Sequence, residues 1–173
     1  ALMASQAALM SGAGLVSCAT RPEHISAYIS RCPEIMVSGI NSGLELSPFI
    51  IDEVNQSKVL VVGPGLGKNA FGQLLLQTVF QQIQPLLQCS AKPRTMVLDA
   101  DALNLLAAKP LITGSAVDFS HHHVIMTPHP AEAGRLLNIS TAEVQADRIS
   151  AAKTLVDKFS CTVILKGHHS VIA

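Results

Sequence analysis

Four stretches of the chain run apolar and then break into glycine, proline or charge: "KVLVVGPGLG" from Lys58, "TMVLDA" from Thr95, "HVIMTP" from His123 and "CTVILKG" from Cys161. Continuous apolar runs, as opposed to alternating ones, predict strands buried on both faces in a parallel sheet. Segments with helical spacing lie between them. One covers 69–90, with Pro85 placed to kink or end it. Others are "ALNLLAAK" over 102–109, a helix opening at Pro130, and one amphipathic helix over 141–160 whose Thr-x-x-Val start lacks a capping glutamate. Nearer the N-terminus, a helix over 1–11 is stopped by "SGAG", and "LVSCAT" then reads as extended. A short helix from Pro22 to Cys32 precedes a second extended piece, "EIMV". Strand and helix alternate five times, which defines an α/β architecture with a parallel sheet between helices.

Composition narrows the function. Within 173 residues, one domain's worth, twelve basic and twelve acidic residues cancel. A neutral chain has no electrostatic reason to seek nucleic acid or an anionic membrane. With 3% aromatic residues and no tryptophan, stacking platforms for single strands are also disfavoured. No apolar segment reaches the roughly 18 residues of a membrane helix, and the start lacks the basic region of a secretory signal. Cys18, Cys32, Cys89 and Cys161 form no CxxC pair, so reduced thiols in a cytoplasmic protein are expected and zinc is not. The first residue is not Met and the last four, "SVIA", sit in a strand-like run, so the chain is expected to be a piece of a longer gene product.

The candidate chemistry lies where the strands end, the edge at which open α/β sheets bind ligands. Gly63, Gly65 and Gly67 would let backbone amides approach an anion ahead of a helix N-terminus, or would form an ordinary turn. The spacing is neither that of a P-loop nor GxGxxG. In "LDADALN", Asp99 and Asp101 could take a cation, a hydroxyl or a proton, although Asp101 could equally cap the helix behind it and Asn104 could be a surface polar residue. In "TPHPAE", Pro128 and Pro130 hold His129 rigidly at a strand end, and Glu132 suits the first helical turn. Lys166 and Gly167 offer a phosphate partner or a solvent-facing turn. His121–His123 and the pair His168 and His169 are not expected to hold a metal, since adjacent histidines in a loop do not share a face.

Taken in order, "VVGPGLG", "LDADALNLL", "TPHPAEAGRLL" and "VILKG", with "SGAGLVSCAT" and "PEIMV" before them, resemble the ADP-dependent NAD(P)H-hydrate dehydratases over nearly the whole chain. The resemblance implies a ribokinase-like three-layer α/β/α fold with a mainly parallel central sheet. It implies repair of S-NADHX and S-NADPHX: ADP phosphorylates the hydrate's hydroxyl, phosphate leaves, and NAD(P)H and AMP are released, with Mg2+ as cofactor. Carried over by residue, Gly63, Gly65, Gly67, His129 and Glu132 would meet the hydrate. Lys166, Gly167, His168, His169 and Ser170 would cradle the nucleotide, and Asp101 and Asn104 would sit beside the reacting centre. No residue of this chain is assigned to a metal.

The family pattern "KGAGT" is "KGHHS" here. The family's later "GMGD" segment, with the main catalytic Asp, is expected beyond residue 173, so the 173-residue piece alone is expected to be inactive. An epimerase domain on the N-terminal side and a homotetramer are further expectations. Two other readings compete: a ribokinase-like kinase for a small alcohol, against which "TPHPAE" counts, and a non-catalytic nucleotide-binding module, which the "KGHHS" loop favours.

Overall fold

The computed structural model describes residues 1–44, 46–83, 95–108 and 123–173. Its centre is a five-stranded sheet of β3 (Val59–Val62), β4 (Thr95–Leu98), β5 (His123–Met126), β6 (Thr162–Leu165) and β7 (Val171–Ile172), in that spatial order. The first four are parallel, and β7 folds back antiparallel on β6. Register places Val62, Leu98 and Met126 side by side. The ladder continues one step further, with Asp99 N–H donating to the Val62 carbonyl and Thr127 N–H to that of Leu98, both at 3.1 Å. Lys166 joins the row by donating its N–H to the Pro128 carbonyl at 2.8 Å. The loops after Val62, Leu98, Met126 and Leu165 thus open along one rim of the sheet. This is the mixed α/β class with a mainly parallel sheet that the apolar runs predict.

The runs overstate burial at β3. Met96, Leu98, Val124, Met126, Val163 and Leu165 are at most 2% exposed, but Val59 and Val61 remain more than half exposed. β3 lies at the edge of the described strands, and the face that carries Val59 and Val61 is its open one. β1 (Ser17–Thr20) and β2 (Met36–Gly39) form a separate parallel pair, joined by a 3-10 turn over Pro22–His24 and α2 (Ile25–Arg31) and preceded by α1 (Leu2–Met10). They bury a second small core of Cys18, Tyr28 and Ile35. Glu53 of α3 (Pro48–Gln56) ties the pair down, accepting hydrogen bonds from Ser17 Oγ at 2.9 Å and Ser38 Oγ at 3.3 Å. α3 is not among the elements the apolar pattern predicts. Its signal is Ser47 as N-cap followed by Pro48 in the first turn.

Two helices also differ from expectation. The stretch from 69 forms α4 (Ala70–Thr78), capped by Asn69, and widens into a π turn over Val79–Ile83; Pro85 and Cys89 lie outside the described residues. The helix expected over 141–160 is two: α7 (Thr141–Ala146) and α8 (Arg148–Phe159). Between them Asp147 leaves the helical region at φ −144° and caps α8, its carboxylate accepting from Ser150 N–H at 2.9 Å. A capping glutamate is present after all. Counted from Ser140, Glu143 completes a capping box, with Ser140 N–H donating to Glu143 Oε2 at 2.8 Å. Cys18, Cys32 and Cys161 are free thiols. Among the described residues no helix is long and apolar enough to cross a membrane.

Candidate active site at the strand ends

β3 ends in Gly63 at φ +126°, a backbone region closed to other residues, and a side chain there would overlap the Asp99 carbonyl oxygen. The chain turns tightly, with Leu66 N–H donating to the Gly63 carbonyl at 3.0 Å, and Gly65 and Gly67 also take positive φ. The Gly67 N–H then donates to Asp101 Oδ2 at 2.9 Å. Asp101 is the first residue of α5 (Asp101–Ala107), yet it makes no side-chain cap on that helix. Its carboxylate reaches across to the glycine loop instead. Ala100 makes this possible at φ 49°, a strained conformation for a residue with a Cβ. Asp101 therefore joins two strand-end loops, and the simple cap reading is corrected.

Asp99 and Lys166 form an ion pair across the β5 strand end, with Nζ 2.7 Å from Oδ1. Partial burial opposes ionisation of Asp99, but hydrogen bonds from Lys166 and Thr127 and the Lys166 charge outweigh it and hold the carboxyl below its ordinary value. A depressed carboxyl pKa contributes stability above the unfolded pKa, lost as pH falls through the folded one. The stability difference between the parent and Asp99→Asn, measured by urea denaturation, should stay under about 1 kcal/mol near neutrality, because the pair is partly solvated. It should close in acid, below the usual carboxylate range.

Asn104 bonds on both sides of its amide. Its Nδ2 donates to the Ala100 carbonyl at 3.1 Å, and its Oδ1 accepts from Arg135 Nη1 at 2.7 Å. That bond links α5 to α6 (Pro130–Leu137). Arg135 lies beyond the strand-end "TPHPAE" stretch, and its one sequence signal is a basic residue in the last turn of a short helix.

His129 is the N-cap of α6. Its Nδ1 accepts from the N–H groups of Ala131 at 3.2 Å and Glu132 at 3.4 Å, while Glu132 Oε2 accepts from His129 N–H at 2.9 Å. Since Nδ1 is the acceptor, the ring proton of the neutral imidazole sits on Nε2, which lies 3.3 Å from Glu132 Oε1. The carboxylate of Glu132, only 4% exposed, is committed to this box. His129→Ala should cost about 1 kcal/mol through loss of the cap, read as a lowered melting temperature.

Residues 167–170 form the exposed turn between β6 and β7. His168 and His169 do touch there, Nδ1 to Nδ1 at 2.9 Å with ring centroids 4.3 Å apart, contrary to the expectation that neighbours diverge. Among the described residues no three His, Cys, Asp or Glu side chains converge on one point, and His121 and His122 lie outside them. The Gly63 loop, Asp99, Asp101, Asn104, His129 and Lys166 thus meet along one rim. The rest of the "KGHHS" turn extends from it.

A mainly parallel sheet with a glycine turn, two acids and a lysine on its carboxyl rim defines an α/β protein with a polar site at its strand ends. A ribokinase-like superfamily protein from Enterococcus faecalis superposes with a TM-score of 0.77 at 27% identity, over 99% of this chain and 54% of that one. An ADP/ATP-dependent NAD(P)H-hydrate dehydratase from Bacillus subtilis shares the fold at TM-score 0.70 and 23% identity, over 100% of this chain and 56% of that one. The NAD(P)H-hydrate dehydratase family matches residues 1–173, and the chain belongs to that family. It is 39% identical over 171 residues to the bifunctional NAD(P)H-hydrate repair enzyme of Escherichia coli, covering 99% of this chain and 29% of the relative. To the ADP-dependent (S)-NAD(P)H-hydrate dehydratase of Staphylococcus aureus it is 34% identical over 172 residues, covering 99% of this chain and 55% of the relative. The chain therefore spans under a third of the bifunctional relative and about half of the single-function one.

Proposed function

We propose that the protein carrying this chain is an ADP-dependent NAD(P)H-hydrate dehydratase that returns S-NADHX and S-NADPHX to NADH and NADPH. The observation that carries the reading is the joined rim, where Asp101 holds the glycine loop and Asp99 holds Lys166, within a chain that belongs to the family from end to end. The hydrate's hydroxyl oxygen attacks the β-phosphorus of ADP, the bond to the bridging oxygen breaks, and AMP leaves. The hydrate's original ring C–O bond then breaks, the oxygen leaving with the phosphate it now carries, and loss of a proton from the adjacent ring carbon restores the double bond. Hydroxide leaves poorly and phosphate leaves well, which is why the nucleotide is consumed.

Each rim element has a place in this scheme. Gly63, Gly65 and Gly67 lie against the dinucleotide hydrate, and His129 offers its Nε2 edge. Glu132 acts there through His129, since its own oxygens are held in the capping box. Asp101 and Asn104 flank the reacting centre, and residues 166–170 receive the nucleotide. Magnesium neutralises phosphoryl charge in such transfers. Asp99 is paired with Lys166, and no metal-holding cluster stands among the described residues, so the ion would be held mainly by the nucleotide's own phosphates. A cytoplasmic homo-oligomer, a tetramer, completes the reading.

The test uses the full-length gene product with hydrated NADH, ADP and magnesium, following the return of the dihydronicotinamide near-UV absorbance. Recovery that depends on ADP is expected. Bound ADP without recovery would point to a kinase for another alcohol, and neither binding nor recovery would sink both enzyme readings.

A further inference from the structure

Arg148 opens α8 directly after the Asp147 cap, at the helix end where the backbone dipole disfavours a cation. Its side chain runs to the turn after β6, where Nη2 donates to the Leu165 carbonyl at 3.1 Å. The guanidinium occupies the space in which a side chain on Gly167 would begin. Its Nε is sealed from solvent without an acceptor among the described residues, and no carboxylate pairs with the guanidinium among them.

A guanidinium has five N–H donors, and one bond to a carbonyl satisfies little of it. The helix end and the orphaned Nε each lower stability, and the bond from Nη2 to the Leu165 carbonyl offsets only part of that. Local rules are broken in this way where ligands bind. Lys166 is the contrast: 2.7 Å from Asp99, its charge is already balanced within the protein. Among the described residues, the positive charge at this turn that has no carboxylate partner is that of Arg148.

We infer that Arg148 is an anion-binding residue of the strand-end site and takes phosphate oxygens of the nucleotide received by the turn at 167–170. This rests on the nucleotide reading of that turn. The guanidinium fork matches two phosphate oxygens, which a lysine ammonium does not. The inference also assigns a reason for Gly167: glycine stands there to leave room for Arg148, as well as for any approach of phosphate to the backbone.

The experiment is calorimetric titration of the full-length protein with ADP, inorganic pyrophosphate and adenosine. Arg148→Met should weaken ADP and pyrophosphate roughly ten- to a hundredfold, the scale of charge-assisted hydrogen bonds, and leave adenosine unchanged. Arg148→Lys keeps the charge, loses the fork and recovers only part of the affinity; it also serves if the methionine variant does not fold. Unchanged ADP binding, or equal weakening of adenosine and ADP, would overturn the inference and leave the dehydratase reading standing. A parent protein that binds pyrophosphate through Arg148 but ignores ADP would remove the nucleotide reading and this inference with it. A parent protein that binds neither ADP nor pyrophosphate would end both.

Discussion

Gly63→Ala should destabilise the fold by roughly 3–5 kcal/mol, the upper end of what single substitutions cost, reached here through steric overlap and strain at a special backbone conformation. Against a total of about 5–15 kcal/mol for a domain, that is enough to leave much of the protein unfolded. Two costs combine. The backbone at φ +126° disfavours any Cβ, and the added methyl would overlap the Asp99 carbonyl oxygen. That carbonyl cannot easily yield. Asp99 N–H is bonded to Val62, its carbonyl accepts from Ala102 N–H at 3.2 Å, and its carboxylate is paired with Lys166. Gly14→Ala is the control, since a methyl there meets open space and should change stability by less than about 0.5 kcal/mol. Urea denaturation of the full-length protein reads both. A loss under 1 kcal/mol at Gly63 would show that the rim relaxes freely, and the picture of interlocked loops would be wrong.

The second large effect is on turnover. Asp101→Ala should lower kcat by about 10²- to 10⁴-fold, the scale of a charged group acting beside the reacting atoms, with a stability cost near 1 kcal/mol for the lost Gly67 hydrogen bond. Asp101→Asn separates two ways of causing that loss. Its amide oxygen can still accept from Gly67 N–H, so the loop stays in place while the charge is gone. If the asparagine variant is as slow as the alanine one, the carboxylate itself serves the reaction. If it works nearly as well as the parent, the task of Asp101 is to hold the glycine loop. Steady-state rates with ADP and hydrated NADH decide, alongside melting curves that exclude unfolding.

Much of this protein is legible in one dimension. The apolar runs at β3, β4, β5 and β6 mark buried strands because burial in a sheet is a property of consecutive side chains. The glycine, acidic and proline-flanked residues that follow them mark the rim because ligands gather at the carboxyl ends of parallel strands. Local signals are weaker where one residue changes the frame. Asp147 sits inside a pattern that reads as one amphipathic helix, and only its extended backbone reveals the break. The capping box at Ser140 escapes a search that starts one residue too late. α3 escapes because it is short and reveals itself chiefly through Ser47 and Pro48.

What the sequence determined by itself is the chain order of the four central parallel strands, the α/β class and the candidate residues at the strand ends, since these follow from apolar runs and the residues that close them. Which of them join was decided by tertiary structure. Asp99 meets Lys166 across 67 positions of chain, and Gly67 meets Asp101 across 34. No local pattern encodes such distances, because they depend on register between strands that are remote in sequence. The same holds for Arg148, which reads as an ordinary helix residue until the fold sets its guanidinium, without a counter-charge among the described residues, against Gly167.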